Sequence, residues 1–271
     1  MNERDCEATM PRQLKQKLEH LYDIYTRRSF VDPDPLLFLY RYPDVRDREI
    51  AALVAACLAY GRVEMIVRAV EQVLAFLGPY PATRLAGLTP AEMDQGLAGF
   101  TYRFARQTHV MNLMTGIQQV IREYGSLEAC FMAGAAPTDT TVLPGLTFMC
   151  RKLDPDGACG HLLADPTKNS ACKRSHLFLR WMVRRDRVDP GGWEQLEPGR
   201  LLVPLDRHMF SAGRILGFTR RSTPDRGACL EITDGFRQIQ PNDPVKYDFC
   251  LTRFGIRRSL EMNDLAGILA D

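Results

Sequence analysis

The stretch L-F-L-R-W-M-V at 177–183 limits the possible folds more than any other. At about 100° per residue, Leu177, Phe178, Leu179, Trp181, Met182 and Val183 cover well over half of a helix circumference. Such a helix must be buried on most sides, so several others have to surround it. Asp47 to Tyr60, Ala-rich and almost wholly apolar after Ile50, makes the same demand. Alternating apolar and polar runs bounded by hairpin turns are missing. The chain therefore reads as all-α, with ten or so helices, and its 271 residues suffice for a substantial core without staples.

The remaining arc of the 177–183 helix carries Lys173, Arg180 and Arg184, with His176 beside it, a narrow basic stripe on an apolar cylinder. Ser170 is the expected N-cap, which makes Ala171, Cys172 and Lys173 the first helical positions. A cation there opposes the partial positive charge of a helix start, and Arg174 adds to it. A lysine so placed is a candidate amine nucleophile. A second helix is expected from L-V-P-L-D-R-H-M-F. Pro204 suits its first position, Asp206 falls in its first turn, and Leu205, Met209, Ala212 and Leu216 repeat at helical spacing. An amine and a carboxylate, each at a helix start, are thus available to face one another across a groove. An acid in a first turn is also ordinary helix chemistry.

The other elements follow in order. Residues 1–10 read as a loose tail, and Pro11 to about Arg28 as an amphipathic helix. V-D-P-D-P and R-Y-P-D read as a Pro-rich connector without regular structure. After the helix ending at Tyr60, Gly61-Arg62 make a turn, and Val63–Leu77 form the next helix. Helices are then expected from about Pro90, from Thr108 to Tyr124, from Ser126 through Phe131, and over Val142–Leu153. Beyond Asp206, helices are expected from Thr223-Pro224 to near Ile239, from Asp243-Pro244 to about Phe254, and from Ser259. The expected division is 1–46, an N-terminal helix and connector packing with the C-terminal part; 47–203, a helical barrel; and 204–271, a C-terminal helical unit.

Net charge is only +2, but it is unevenly spread. From Lys173 to Arg226 there are 12 Lys and Arg against 6 Asp and Glu, which leaves the remainder at −4. A basic middle on a near-neutral protein suits a localised polyanion footprint. No apolar run reaches transmembrane length, and M-N-E-R-D-C-E lacks a signal-peptide core, so a cytoplasmic protein is expected. The eight cysteines follow no regular framework and are expected as reduced thiols. Cys159, His161, Cys172 and His176 have donor types suited to zinc, but their spacing fits no standard finger; no metal and no cofactor is expected.

Three strings then stand out: C-K-R-x-x-x-F-L-R-W-M-V-R, P-L-D-x-H and N-D-P-V-K-Y-D-F. Together they resemble the helix-hairpin-helix (HhH-GPD) DNA glycosylase superfamily of the endonuclease III type. The resemblance is closer still to a bacterial family of unknown function assigned to that superfamily, and it covers about residues 30–258. It implies a two-lobed helical fold with a cleft between the lobes. Lys173 takes the position of the superfamily's lysine nucleophile and Asp206 that of its catalytic aspartate. Ile50–Arg62 matches the helix and turn facing the gap in the duplex, and Pro241–Gly255 a helix packed at the junction. The Gly-rich hairpin is replaced by an atypical segment near 163–173, L-A-D-P-T-K-N-S-A-C, and the four-cysteine iron–sulfur motif is missing. Lys173 and Asp206 are 33 positions apart, a spacing closer to archaeal 8-oxoguanine glycosylases, which tilts the substrate towards an oxidised purine.

The function so implied is removal of a damaged base from double-stranded DNA, with or without strand nicking, and with no membrane and no obligate protein partner. Arg62, Arg174, Arg180, Arg184, Arg207 and His208 are expected to contact DNA. Phe178 and Trp181, and also Trp193, are candidates to clamp the extruded base. Two other readings need neither Lys173 nor Asp206: a non-catalytic binder of branched or damaged DNA, and a helical protein-interaction scaffold.

Overall fold

The computed structural model describes residues 3–257 and 260–270. It is built almost entirely of helices: α1 (Glu3–Tyr25), α2 (Val45–Leu58), α3 (Val63–Leu77), α4 (Pro81–Gly87), α5 (Pro90–Gly96), a two-stranded hairpin β1 (Thr101–Tyr102) and β2 (Ala105–Arg106), α6 (Gln107–Tyr124), α7 (Leu127–Ala133), α8 (Leu143–Leu153), α9 (Lys173–Val183), α10 (Arg207–Ile215), α11 (Arg226–Ile239), α12 (Asp248–Ile256) and α13 (Met262–Ala270). The protein is therefore all-α in class. No described helix is long and apolar enough to cross a membrane.

The two stretches that are apolar nearly all round become the packing centre. Every residue of α2 from Glu49 to Leu58 is buried, and α9 buries everything from His176 onwards. The two helices pack on each other, and α2 also carries the 3-10 segment Pro35–Arg41 and α4. Glu49, an acid inside this centre, is fully buried. Burial pushes its carboxyl up, opposed by the donors around it. Its Oε1 accepts the Leu127 N–H (3.1 Å), and Oε2 accepts the Glu128 N–H (3.3 Å) and Trp193 Nε1–H (3.0 Å). A residue of α2 thus satisfies orphan amides at the start of α7. Helices α1, α10, α11, α12 and α13 contact one another at the other side of the molecule. Lys246 Nζ and Tyr247 Oη both reach Glu19 of α1 at 2.7 Å, tying the N-terminal helix to the segment before α12.

Local chemistry sets most boundaries. Asp44, Thr89, Ser126, Asp206 and Asp225 accept backbone N–H groups at helix starts, as caps do. Gly125 ends α6 in the left-handed conformation at φ 86°.

Several expectations give way. Helix α1 begins at Glu3, so residues 3–10 are helical rather than a tail. The Pro-rich connector holds two 3-10 turns, Arg28–Phe30 and Pro35–Arg41, the second capped by Asp34. The hairpin at 101–106 pairs only Thr101 with Arg106 and Tyr102 with Ala105, too few residues to leave an alternating pattern. Ser170 does not cap α9. It forms an antiparallel bridge with Asp225, its Oγ accepts the Cys172 N–H at 3.2 Å, and Cys172 turns left-handed (φ 44°), so the helix opens at Lys173 itself. Asp243 does not start a helix, because its carboxylate accepts from Arg184 Nε (2.9 and 3.0 Å), and α12 begins at Asp248. α11 starts after Asp225, whose side chain caps it, and not at Thr223. The expected start at Ser259 lies outside the described residues.

Candidate active site

Beyond Val183 the chain runs through turns and the 3-10 segment Pro198–Arg200, and it returns at Asp206 to the start of α9. The side chains of Lys173 and Asp206 then open on one groove of about 690 Å³. Lys173 is the first residue of α9; α10 starts at Arg207, three positions after Pro204 where it was expected, so Asp206 is its N-cap rather than a first-turn residue. Asp206 divides its oxygens. Oδ1 accepts the His208 and Met209 N–H groups (2.9 and 3.0 Å), which fixes the carboxylate. Oδ2 faces Lys173 Nζ at 3.7 Å, longer than a tight ion pair. The side chains keep 32% and 22% exposure, so an incoming molecule can reach both. An accessible amine beside a carboxylate anchored by two amides can attack an electron-poor carbon while the carboxylate holds positive charge or accepts a proton.

Around this pair the groove carries exposed Arg62 before α3, exposed Arg103 at the hairpin tip and exposed Arg207 beside Asp206. His208 lines it too and accepts from Arg207 Nε at 3.1 Å. Partial burial lowers the His208 proton affinity, with Arg207, Lys173 and Arg253 adding to the effect and Asp206 opposing it. Gly255 of α12 leaves the space for this ring: a Cβ there would lie 1.7 Å from His208 Nδ1.

The rest of the expected site dissolves into the interior. Arg180 and Arg184 are each 3% exposed. Arg180 Nη2 pairs with Asp189 (2.9 Å) and its Nη1 with Asp248. Arg184 pairs with Asp186 (3.0 Å), Asp243 (2.9 Å) and Asp189. The stripe is a buried ion network joining α9, the 186–189 turn and α12, so neither arginine is placed as a free phosphate ligand. Phe178 and Trp181 have no exposed surface and Trp193 has 3%. They are core, with Phe178 edge-on to Trp193 at 5.2 Å, and leave no face for a base. Arg174 is half-buried and spends its donors on the Cys57 carbonyl (2.6 Å) and the His161 carbonyl, with its guanidinium over Tyr60. It staples the 161 turn to the end of α2 and does not line the groove.

The zinc-type residues also scatter. His161 packs on Tyr60 and Phe104, His176 is buried, and Cys159 and Cys172 are buried free thiols. Among the described residues no three His, Cys, Asp or Glu side chains are grouped so as to hold a metal ion.

Three features were not singled out in the sequence: Arg103 of the groove, the exposed aromatic Phe104 (62%) next to it on the hairpin tip and packed on His161, and Asp248 of the groove. The first two sit on a turn too short to be recognised as a hairpin. Asp248 is the last acid of N-D-P-V-K-Y-D-F, and its string was its only signal.

No curated protein and no solved structure matches this chain. A family model described as a protein of unknown function (DUF2400) matches residues 34–257, which takes in Lys173, Asp206, Asp248 and nearly all of the groove. The chain is a member of that family of unknown function.

Proposed function

We propose that this protein is a DNA glycosylase, with lyase activity at the resulting abasic site, acting on a damaged base extruded from double-stranded DNA. In this reading the all-α fold is of the two-lobed helix-hairpin-helix glycosylase type, and the groove is the cleft between its lobes. The observation that carries it is the approach of Lys173 Nζ to Asp206 Oδ2, 3.7 Å apart and both accessible. They come from helix starts 33 positions apart in sequence.

Loss of a base builds positive charge on the sugar, and the Asp206 carboxylate stabilises it at close range. The Lys173 amine attacks the anomeric carbon as the base leaves. The sugar ring opens, and the nitrogen–carbon bond becomes a Schiff base. Elimination from that intermediate breaks the strand. Arg62, Arg103 and Arg207 are exposed around the same opening and suit phosphates of the flanking backbone. The non-catalytic DNA-binding reading shared the Arg180 and Arg184 stripe with this one, and their burial takes that stripe from both.

The experiment is single-turnover excision on duplexes bearing oxidised, deaminated or alkylated bases, with sodium borohydride added to trap the Schiff base. Base release with a covalent adduct, both lost in Lys173→Gln, is the expected result. An adduct of unchanged yield in Lys173→Gln, or no activity on either a lesion panel or an abasic site, overturns the reading.

A further inference from the structure

Two groove residues, Asp248 and Arg253, each have a buried polar atom without a hydrogen-bond partner among the described residues, Asp248 Oδ1 and Arg253 Nε, and of the two Asp248 offers the acceptor. It is 3% exposed, lies at the groove floor, and takes Arg180 Nη1 on Oδ2. Its Oδ1 is buried and has no hydrogen-bond partner among the described residues. A buried carboxylate oxygen without a donor is costly, and native structures rarely keep one that nothing ever satisfies. Arg180 is in turn held by Asp189 through both Nε and Nη2, so Asp248 cannot swing to satisfy itself without breaking the network. The result is an acceptor fixed in place before any ligand arrives. Burial raises its proton affinity, Arg180 pulls it down and the Asp206 charge adds to the rise; a basic, desolvated carboxylate is a strong acceptor.

We propose that Asp248 Oδ1 is the hydrogen-bond acceptor that reads an N–H group on the extruded base, and so sets which bases the groove takes. This rests on the glycosylase reading above. The class of base it selects carries a ring N–H of lactam type, or an exocyclic amine, on the edge that enters first. A base offering only acceptors there leaves the carboxylate unpaired and is rejected, as sites built around a hydrogen bond reject analogues lacking it. Oxidation of a purine ring carbon to a carbonyl turns a neighbouring acceptor nitrogen into such an N–H donor. An oxidised purine is therefore a member of the class, and its unmodified parent lacks that donor.

Two measurements test this. Asp248→Asn, with its melting temperature recorded, is compared with the natural sequence for base release and for borohydride trapping on a duplex holding a pre-formed abasic site, where no base has to be read. The expected result is a fall in base release of roughly 30-fold or more, far larger than any fall in trapping. Equal losses in the two assays, or base release at the natural rate, overturn the proposal. Because the variant removes a charge from a buried pair, which costs stability, the second arm uses the natural protein alone. Each excised base is replaced by counterparts in which one N–H is methylated, and one of these should be excised about 30-fold more slowly. Indifference to every methylation overturns the proposal. Trapping at the abasic site with no base released from any duplex also overturns it while leaving Lys173 chemistry standing, and failure of both assays in the natural protein sinks the glycosylase reading itself.

Discussion

The two ends of α9 put the same kind of side chain to opposite uses. Towards its C-terminus, Arg180 and Arg184 are buried, and four carboxylates, Asp186, Asp189, Asp243 and Asp248, close on them. At its first residue, Lys173 is a third exposed and has one carboxylate 3.7 Å away, itself half committed to backbone amides. Seven and eleven positions along one helix thus separate a cation left chemically available from two cations used up in holding the helix. Saturated, desolvated pairs are structural, since losing either partner leaves a buried charge. A long, accessible pair contributes little to stability and is free to react.

The sharpest way to break this contrast is to remove one cation or acid from each end. Lys173→Gln should lower Schiff-base formation by ~10⁴-fold or more while changing the unfolding free energy by less than about 1 kcal/mol. Kinetics of trapping and denaturant melts measure the two. Asp189→Ala should do the reverse. It strips both buried guanidiniums of a shared partner and should cost about 3–5 kcal/mol in stability, seen as a lower urea midpoint.

His176 sharpens the comparison within the buried part. It is 2% exposed, its Nδ1 has no partner among the described residues, and burial lowers its pKa to about 4. The folded state therefore binds fewer protons than the unfolded chain between the ordinary value near 6.5 and about 4. The neutral form's contribution is complete above the upper value and is lost as pH falls through the window. It amounts to at most about 3 kcal/mol. Unfolding midpoints from pH 7 to 4 should fall more steeply in the natural protein than in His176→Leu, and parallel curves would show that the imidazole does not titrate this way.

The smallest effect separates the two duties of Asp206. Asparagine caps a helix as well as aspartate does, so Asp206→Asn should keep stability within a few tenths of a kcal/mol while abolishing base release. Asp206→Ala should lose activity and about 1 kcal/mol besides. Calorimetry on the two variants reads the difference.

Much of the helical framework was legible because its signals are local. The nearly all-apolar faces of α2 and α9 announced burial, Val63–Leu77 is matched residue for residue, and Asp206 with the apolar positions after it marked a helix start, three positions beyond Pro204. What stayed hidden depends on partners far along the chain. Arg180 and Arg184 look like a basic stripe until Asp189, Asp243 and Asp248 are brought to them by the fold. Ser170 looks like a cap until Asp225 claims its backbone. Trp193 looks like a stacking surface until its N–H is found on Glu49, 144 residues away. Aromatic and basic residues carry the same letters whether they face solvent or core. The periodicity of α9 gave the direction of its faces but not which narrow face stayed open.

The most direct test of the availability of Lys173 is to map the covalent bond. The protein is reacted with an abasic-site duplex under borohydride, digested, and the cross-linked peptide sequenced by mass spectrometry. The account predicts a single adduct on the Lys173 side chain. An adduct on another lysine or on the N-terminal amine, or full reduction of the DNA with no protein attached, would contradict it.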